Sequence, residues 1–150
     1  MEAAIIGLLS GLLGIILTYA FNRKGAAEMR LHEARIDAYK TFAQEAMEYR
    51  RTVMDEWFEG HGVDLKTEDD DVHRARGSAW SAYYGVRLLT SEKAVGDLAH
   101  DVLTHITALK KLDSRRDLNE QGEHCRAEVE EFVESARADV QSRRGWRQFI

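Results

Sequence analysis

The chain has 150 residues, 31% charged and 44% hydrophobic, with a formal net charge of −5. That length holds one domain and one short additional segment. The charged fraction excludes a multi-span membrane protein and the hydrophobic fraction excludes a disordered chain. The acidic balance argues against nucleic acid as partner, because phosphate binding needs a basic stripe. Proline is absent, and the single cysteine, Cys125, leaves no intramolecular disulfide. Long helices joined by short turns fit that composition.

The first element is Ala3–Phe21, nineteen residues without a charge. As a helix it covers about 28 Å, close to the ~30 Å hydrocarbon core of a bilayer. It is therefore expected to cross a membrane once. Arg23, Lys24 and Arg30 follow it and none precedes it, so the positive-inside rule predicts an N-terminus outside and a cytoplasmic domain at the plasma (inner) membrane. A cleaved signal peptide fits less well, since Glu2 occupies the flank that should be basic and Tyr19-Ala20-Phe21 is a poor cleavage site. Gly7 and Gly11 form a GxxxG, and Ser10 and Gly14 continue the small-residue spacing one position over. Such a face offers a surface for self-association into a homo-oligomer.

Four amphipathic segments follow. The first runs from about Ala26 to Glu59, with Ile36, Ala43 and Trp57 at heptad steps and Tyr39, Ala46 and Val53 as the companion row. Phe42, Met54 and Phe58 widen the stripe, and Arg50 sits in an inward-looking register that calls for a carboxylate from a neighbouring helix. Gly60-His61-Gly62 ends it. Thr67 with Asp70 has capping-box spacing for a second helix, about Glu68 to Leu89, carrying Val72, Ala75, Ala79, Ala82, Tyr83, Val86 and Leu89 on one face. Ser91 is read as the N-cap of a third helix with Glu92 in its first turn, along the stripe Val95, Leu98, Ala99, Val102, Ile106 and Leu109. The fourth runs from about Asp117 to Arg144, lined by Leu118, Cys125, Val129, Phe132, Val133, Ala136 and Val140, with Gly145 after it.

The expected fold is all-α: one N-terminal transmembrane helix, then an antiparallel bundle of four helices, or of three plus a stalk. The corresponding boundaries are 1–22 for the anchor, 23–35 for a charged juxtamembrane stalk, 36–145 for the bundle and 146–150 for a basic aromatic tail. Alternating helix directions return the tail to the bilayer, where Arg143, Arg144, Trp146, Arg147 and Phe149 would join Arg23 and Lys24 at the interface. The opposite end carries Asp69, Asp70 and Asp71 with Lys110, Lys111, Arg115 and Arg116. These are solvated loop charges or a two-signed docking tip.

No catalytic, cofactor-binding or metal-ligating set is expected. His100 and His105 are five apart and point to different faces of a helix. Asp97-x-x-His100 has half the spacing of a di-metal carboxylate site but lacks a second copy. His61 beside Asp64 and the Asp69–Asp71 run lacks the alternation of a calcium loop. His32-Glu33 after an apolar helix has the look of a sensor-kinase phosphoacceptor, yet no proline follows and no nucleotide-binding motif appears. Cys125 beside His124 lies on the apolar stripe, and adjacent helix residues diverge by about 100°, so a buried thiol fits better than a dyad.

Three stretches carry a family likeness: Arg35–Phe42 (RIDAYKTF), Val86–Val95 (VRLLTSEKAV) and Phe132–Asp139 (FVESARAD). In them the chain resembles uncharacterised small single-pass helical proteins of actinobacteria and their phages. The resemblance implies a four-helix domain and supplies no activity, cofactor or site residue. Two functions stay open. One is a membrane-anchored, non-catalytic interaction or regulatory module that binds a cytoplasmic protein. The other is a membrane-perturbing effector, such as a phage exclusion or abortive-infection protein, acting through oligomers of the first helix.

Overall fold

The computed structural model describes the backbone of residues 2–62 and 69–145 and the side chains of residues 25–62 and 70–142. Its elements are α1 (Glu2–Gly60), α2 (Asp69–Leu89), α3 (Lys93–Ala108), a single 3₁₀ turn (Leu109–Lys111) and α4 (Arg115–Gly145). The chain divides into two compact units, Met1–Ala34 and Arg35–Ile150. The second contains the core, built from α1 after Ala34 and from α2, α3 and α4. Among the described residues there are four α-helices, not three.

Among the described residues, no helix is long and apolar enough to cross a membrane. The expected transmembrane helix is thereby corrected, and with it the single-pass topology, the inner-membrane address and the cytoplasmic assignment. The expectation treated nineteen apolar residues as an element of bilayer length. In the structure they begin a helix of 59 residues, which runs on through the charged positions Arg23, Lys24, Glu28 and Arg30. The side chains of Gly7, Ser10, Gly11, Gly14, Arg23, Lys24, Arg143 and Arg144 lie outside the described ones, as do Trp146, Arg147 and Phe149 altogether. An effector acting through the first helix loses its membrane premise with the same correction.

Within the second unit, α1 buries Tyr39, Phe42, Ala46, Tyr49, Val53 and Trp57 at steps of three or four residues. That spacing keeps one face of a 3.6-residue helix toward the core. Ile36, placed in the stripe by its heptad step, is instead 43% exposed, because a straight helix drifts about 20° per heptad away from a seven-residue repeat. Val133 is also exposed: the core positions of α4 are Leu118, Cys125, Val129, Phe132 and Ala136, and position 133 lies about 70° off that line.

Helix directions follow from the residues that meet. On α1 and α4, Tyr39 meets Asp139, Phe42 meets Phe132 (ring centroids 4.6 Å apart) and Arg50 meets Gly122, so the two run antiparallel. On α1 and α3, Tyr49 reaches Thr107 (3.2 Å), and beyond it the Trp57 indole N–H donates to the Leu112 carbonyl (2.6 Å), so these helices run the same way. Arg35 Nε donates to the Leu89 carbonyl (2.6 Å), which joins the start of the α1 core segment to the end of α2. The result is an up-down-up-down bundle, the simplest packing for helices with short connections.

The helix ends are set locally. α1 closes on Gly62 at φ +88°, with the His61 and Gly62 N–H groups donating to the Phe58 and Glu59 carbonyls (both 3.1 Å). Glycine takes this left-handed conformation at little cost. Ser91 does not cap α3. The N-cap is Glu92, without a side-chain cap bond, and the Thr90 hydroxyl accepts from its N–H (3.1 Å) to form the turn. At the start of α4, the Ser114 hydroxyl accepts from the Asp117 N–H (3.3 Å). Thr67 of the expected capping box lies outside the described residues.

Candidate functional site

The polar side chains gather at the seams between helices. On the α1–α4 seam they are structural. The Tyr39 hydroxyl donates to Asp139 Oδ2 (2.7 Å), and both residues are buried. Burial pushes the Tyr39 hydroxyl from 10.0 up to about 12, with the adjacent Asp139 carboxylate adding to the shift while Thr90 and Arg35 oppose it. Arg50 Nε donates to the Gly122 carbonyl (2.6 Å) and its Nη2 pairs with Glu123 (3.0 Å). The inward register of Arg50 thus finds its carboxylate on a neighbouring helix. Gly122 sits so close to α1 that an added Cβ would stand 2.9 Å from Met54 Sδ.

On the α1–α2 seam an open groove of about 410 Å³ is lined by Glu45, Glu48, Asp55 and Asp71, with Arg51 and Arg74 between them. Arg51 pairs with Glu48 (2.5 Å) and Arg74 with Asp71, each within one helix turn. Four carboxylates against two guanidiniums leave the groove acidic.

On the α3–α4 seam, His105 from the last turn of α3 meets His124 and Glu128, which stand one turn apart on α4. His105 Nδ1 lies 2.7 Å from Glu128 Oε1, and His124 Nε2 lies 3.5 Å from the same oxygen. The three ligand atoms lie within 4.8 Å of one another. The imidazoles are about half exposed, whereas the Glu128 side chain is 16% exposed and its Oε2 is buried without a hydrogen-bond partner.

The expected charged tip is divided among local partners. Lys110 pairs with Glu56 (2.7 Å), Asp71 with Arg74, and Arg116 with Asp117 (3.7 Å), while the Arg115 guanidinium sits 5.5 Å over the Phe58 ring. Lys111 and Asp70 are exposed, and the Asp69 side chain lies outside the described ones. Asp97 and His100 do not converge: Asp97 pairs with Lys93 and Arg87, and His100 packs near the Trp80 and Tyr83 rings. His61 stacks on Trp57 (3.8 Å). Arg87 and Arg137 make exposed pairs, with Asp97 (3.9 Å) and Glu134 (3.8 Å). Cys125 is a buried free thiol, and its surroundings push its pKa up to about 11, chiefly by desolvation and then by Glu128. The sequence reading compared His105 with His100, and His124 with Cys125. It did not bring His105, His124 and Glu128 together, because only His124-x-x-x-Glu128, at i and i+4, is visible in sequence.

No curated protein and no solved structure matches the chain. Residues 36–140 match the family of KilB plasmid transfer proteins. The match begins in the core segment of α1 and ends in α4, and it includes all three stretches of the family likeness except Arg35. It takes in more than two thirds of the sequence and the whole set of core residues. The chain therefore belongs to the KilB plasmid transfer protein family.

Proposed function

We propose that this protein is a non-catalytic interaction module of plasmid transfer: a helical bundle that binds another protein taking part in that process. The observation that carries the reading is the family match over residues 36–140, which spans the four packed helices. The narrower kinship with small helical proteins of actinobacteria and their phages belongs to the same proposal. Binding is favoured over catalysis by where the polar groups stand. Tyr39, Asp139 and Arg50 are spent on holding helices together, while the α1–α2 groove presents an acidic surface to solvent. A basic segment of a partner fits that surface, since complementary charge speeds encounter and fixes register.

The test is a mating assay. A plasmid lacking the gene is complemented with the wild-type chain or with a Glu45→Lys/Asp55→Lys variant, which reverses the groove at two half-buried positions. Transfer is expected to fall when the gene is deleted and to return with the wild type. The variant should restore less than about a tenth of it while keeping its helix content and melting temperature. Transfer that is indifferent to the deletion overturns the role in transfer, and full rescue by the variant overturns the groove as the docking surface.

A further inference from the structure

Two imidazoles and a carboxylate meeting across two helices are a metal-ligand set, and nothing in membership of a plasmid transfer family requires one. We propose that His105, His124 and Glu128 bind a divalent transition-metal ion of the zinc class, which clamps the end of α3 to α4.

The donor chemistry is specific. Two nitrogens and one carboxylate oxygen suit zinc and its first-row neighbours, whereas magnesium and calcium take oxygen ligands. The spacing fits as well. Bonds of about 2.0–2.1 Å around a tetrahedral zinc place neighbouring donors roughly 3.3 Å apart. The two separations from Glu128 Oε1, 2.7 Å and 3.5 Å, bracket that value. The third pair, the two imidazoles, lies within 4.8 Å and must close by no more than about 1.5 Å. The half-exposed rings are free to make that movement, while Glu128 is held by burial.

The state of Glu128 is the second observation. Oε1 faces both imidazoles, and Oε2 is buried without a hydrogen-bond partner. The protein satisfies a carboxyl group so placed on one oxygen alone, and a bound dication supplies the missing compensation. Asp101 and Glu120 lie one turn before His105 and His124 on their helices, at the spacing that shares a face, and add to the attraction for a cation. The nearby guanidiniums are engaged elsewhere, Arg50 with Gly122 and Glu123 and Arg126 with Glu123 and Glu130. Three protein ligands leave a fourth position facing solvent between the exposed rings, open to water or to a donor group from outside.

The experiment uses the untagged full chain. Zinc is titrated against a chromophoric chelator, and cobalt is followed through its visible d–d bands. One zinc per chain is expected, with intense cobalt bands of tetrahedral type and no competition from millimolar magnesium. His124→Gln and Glu128→Gln should each weaken zinc more than about 10-fold, on the scale that ligand-sphere changes reach, with unchanged helix content in the metal-free protein. His100→Gln, which alters another α3 histidine, should leave binding intact. If Glu128→Gln does not fold, His105→Gln, at a half-exposed side chain, takes its place. The proposal is overturned if the wild type binds no zinc, if zinc binds equally well to the His124 and Glu128 variants, or if His100→Gln removes it.

Discussion

Replacing Tyr39 by phenylalanine removes one oxygen from the core and tests the α1–α4 seam directly. The lost bond, Tyr39 Oη to Asp139 Oδ2 at 2.7 Å, joins two buried residues. A hydrogen bond to a carboxylate is worth about 1.5–3 kcal/mol, and its loss leaves a buried acceptor that water does not readily replace. At pH 8 the variant should therefore unfold about 2 kcal/mol more easily, roughly 8 °C in melting temperature for a domain of this size. The same hydroxyl links stability to pH. Burial holds its folded pKa at about 12, above the ordinary 10.0 of a tyrosine, so the stabilisation is complete below pH 10 and is lost as pH rises toward 12. The rise from 10.0 to about 12 corresponds to about 2.7 kcal/mol, which solvent screening reduces to roughly 1–2 kcal/mol. Urea unfolding of both proteins, followed by circular dichroism from pH 8 to pH 11.5, isolates the effect, because lysines and the other tyrosines titrate in both and cancel. The gap between wild type and Tyr39→Phe should shrink as pH rises. A gap that stays constant across that range would refute the assignment of the shift to the buried hydroxyl.

Two further outcomes follow from the same packing. Arg50→Ala removes the bonds to the Gly122 carbonyl and Glu123 and should cost about 1–3 kcal/mol in urea unfolding. Arg50→Lys should recover less than half, since an ammonium lacks the planar fork that engages both acceptors; full recovery by lysine would contradict the geometry. Cys125 is 1% exposed, so thiol reagents should modify it at the rate of unfolding. Stoichiometric modification of the folded protein within the mixing time would show that α4 does not pack as described.

Much of the bundle was legible because helix burial is periodic. Phe42, Ala46 and Val53 on α1 and Cys125, Val129 and Phe132 on α4 are core residues that their spacing picks out. The failures have physical causes. Ile36 and Val133 were assigned by apolar character at positions that helix geometry turns away from the core. The N-cap of α3 was assigned to the best capping residue, Ser91, whereas the turn is held by Thr90. Hydropathy assigned a membrane element from a nineteen-residue window without sight of the 59-residue helix that contains it. The His105–His124–Glu128 group was out of reach for another reason. Its halves stand 19 residues apart on helices whose relative rotation only packing decides, so sequence spacing exposes one half and conceals the convergence.

The seams divide the work of the molecule. On the α1–α4 seam the polar pairs flank the Phe42–Phe132 contact on both sides, and they fix register. Sliding α4 by one turn would bring Ser135 or Arg143 toward Tyr39, bury Asp139 without the Tyr39 donor, and set Leu118 or Arg126 against Arg50. Each alternative strands a buried polar group or opposes like charges, at a cost of several kcal/mol. One register therefore survives. The family match begins three residues before Tyr39 and ends one residue after Asp139, so the Tyr39–Asp139 pair lies at the limits of the matched unit and the Arg50–Gly122 pair well inside it. With that seam committed to holding the fold, the acidic groove between α1 and α2 and the imidazole pair between α3 and α4 are two polar groupings that face outward. Partners and ions can reach them there without disturbing the core.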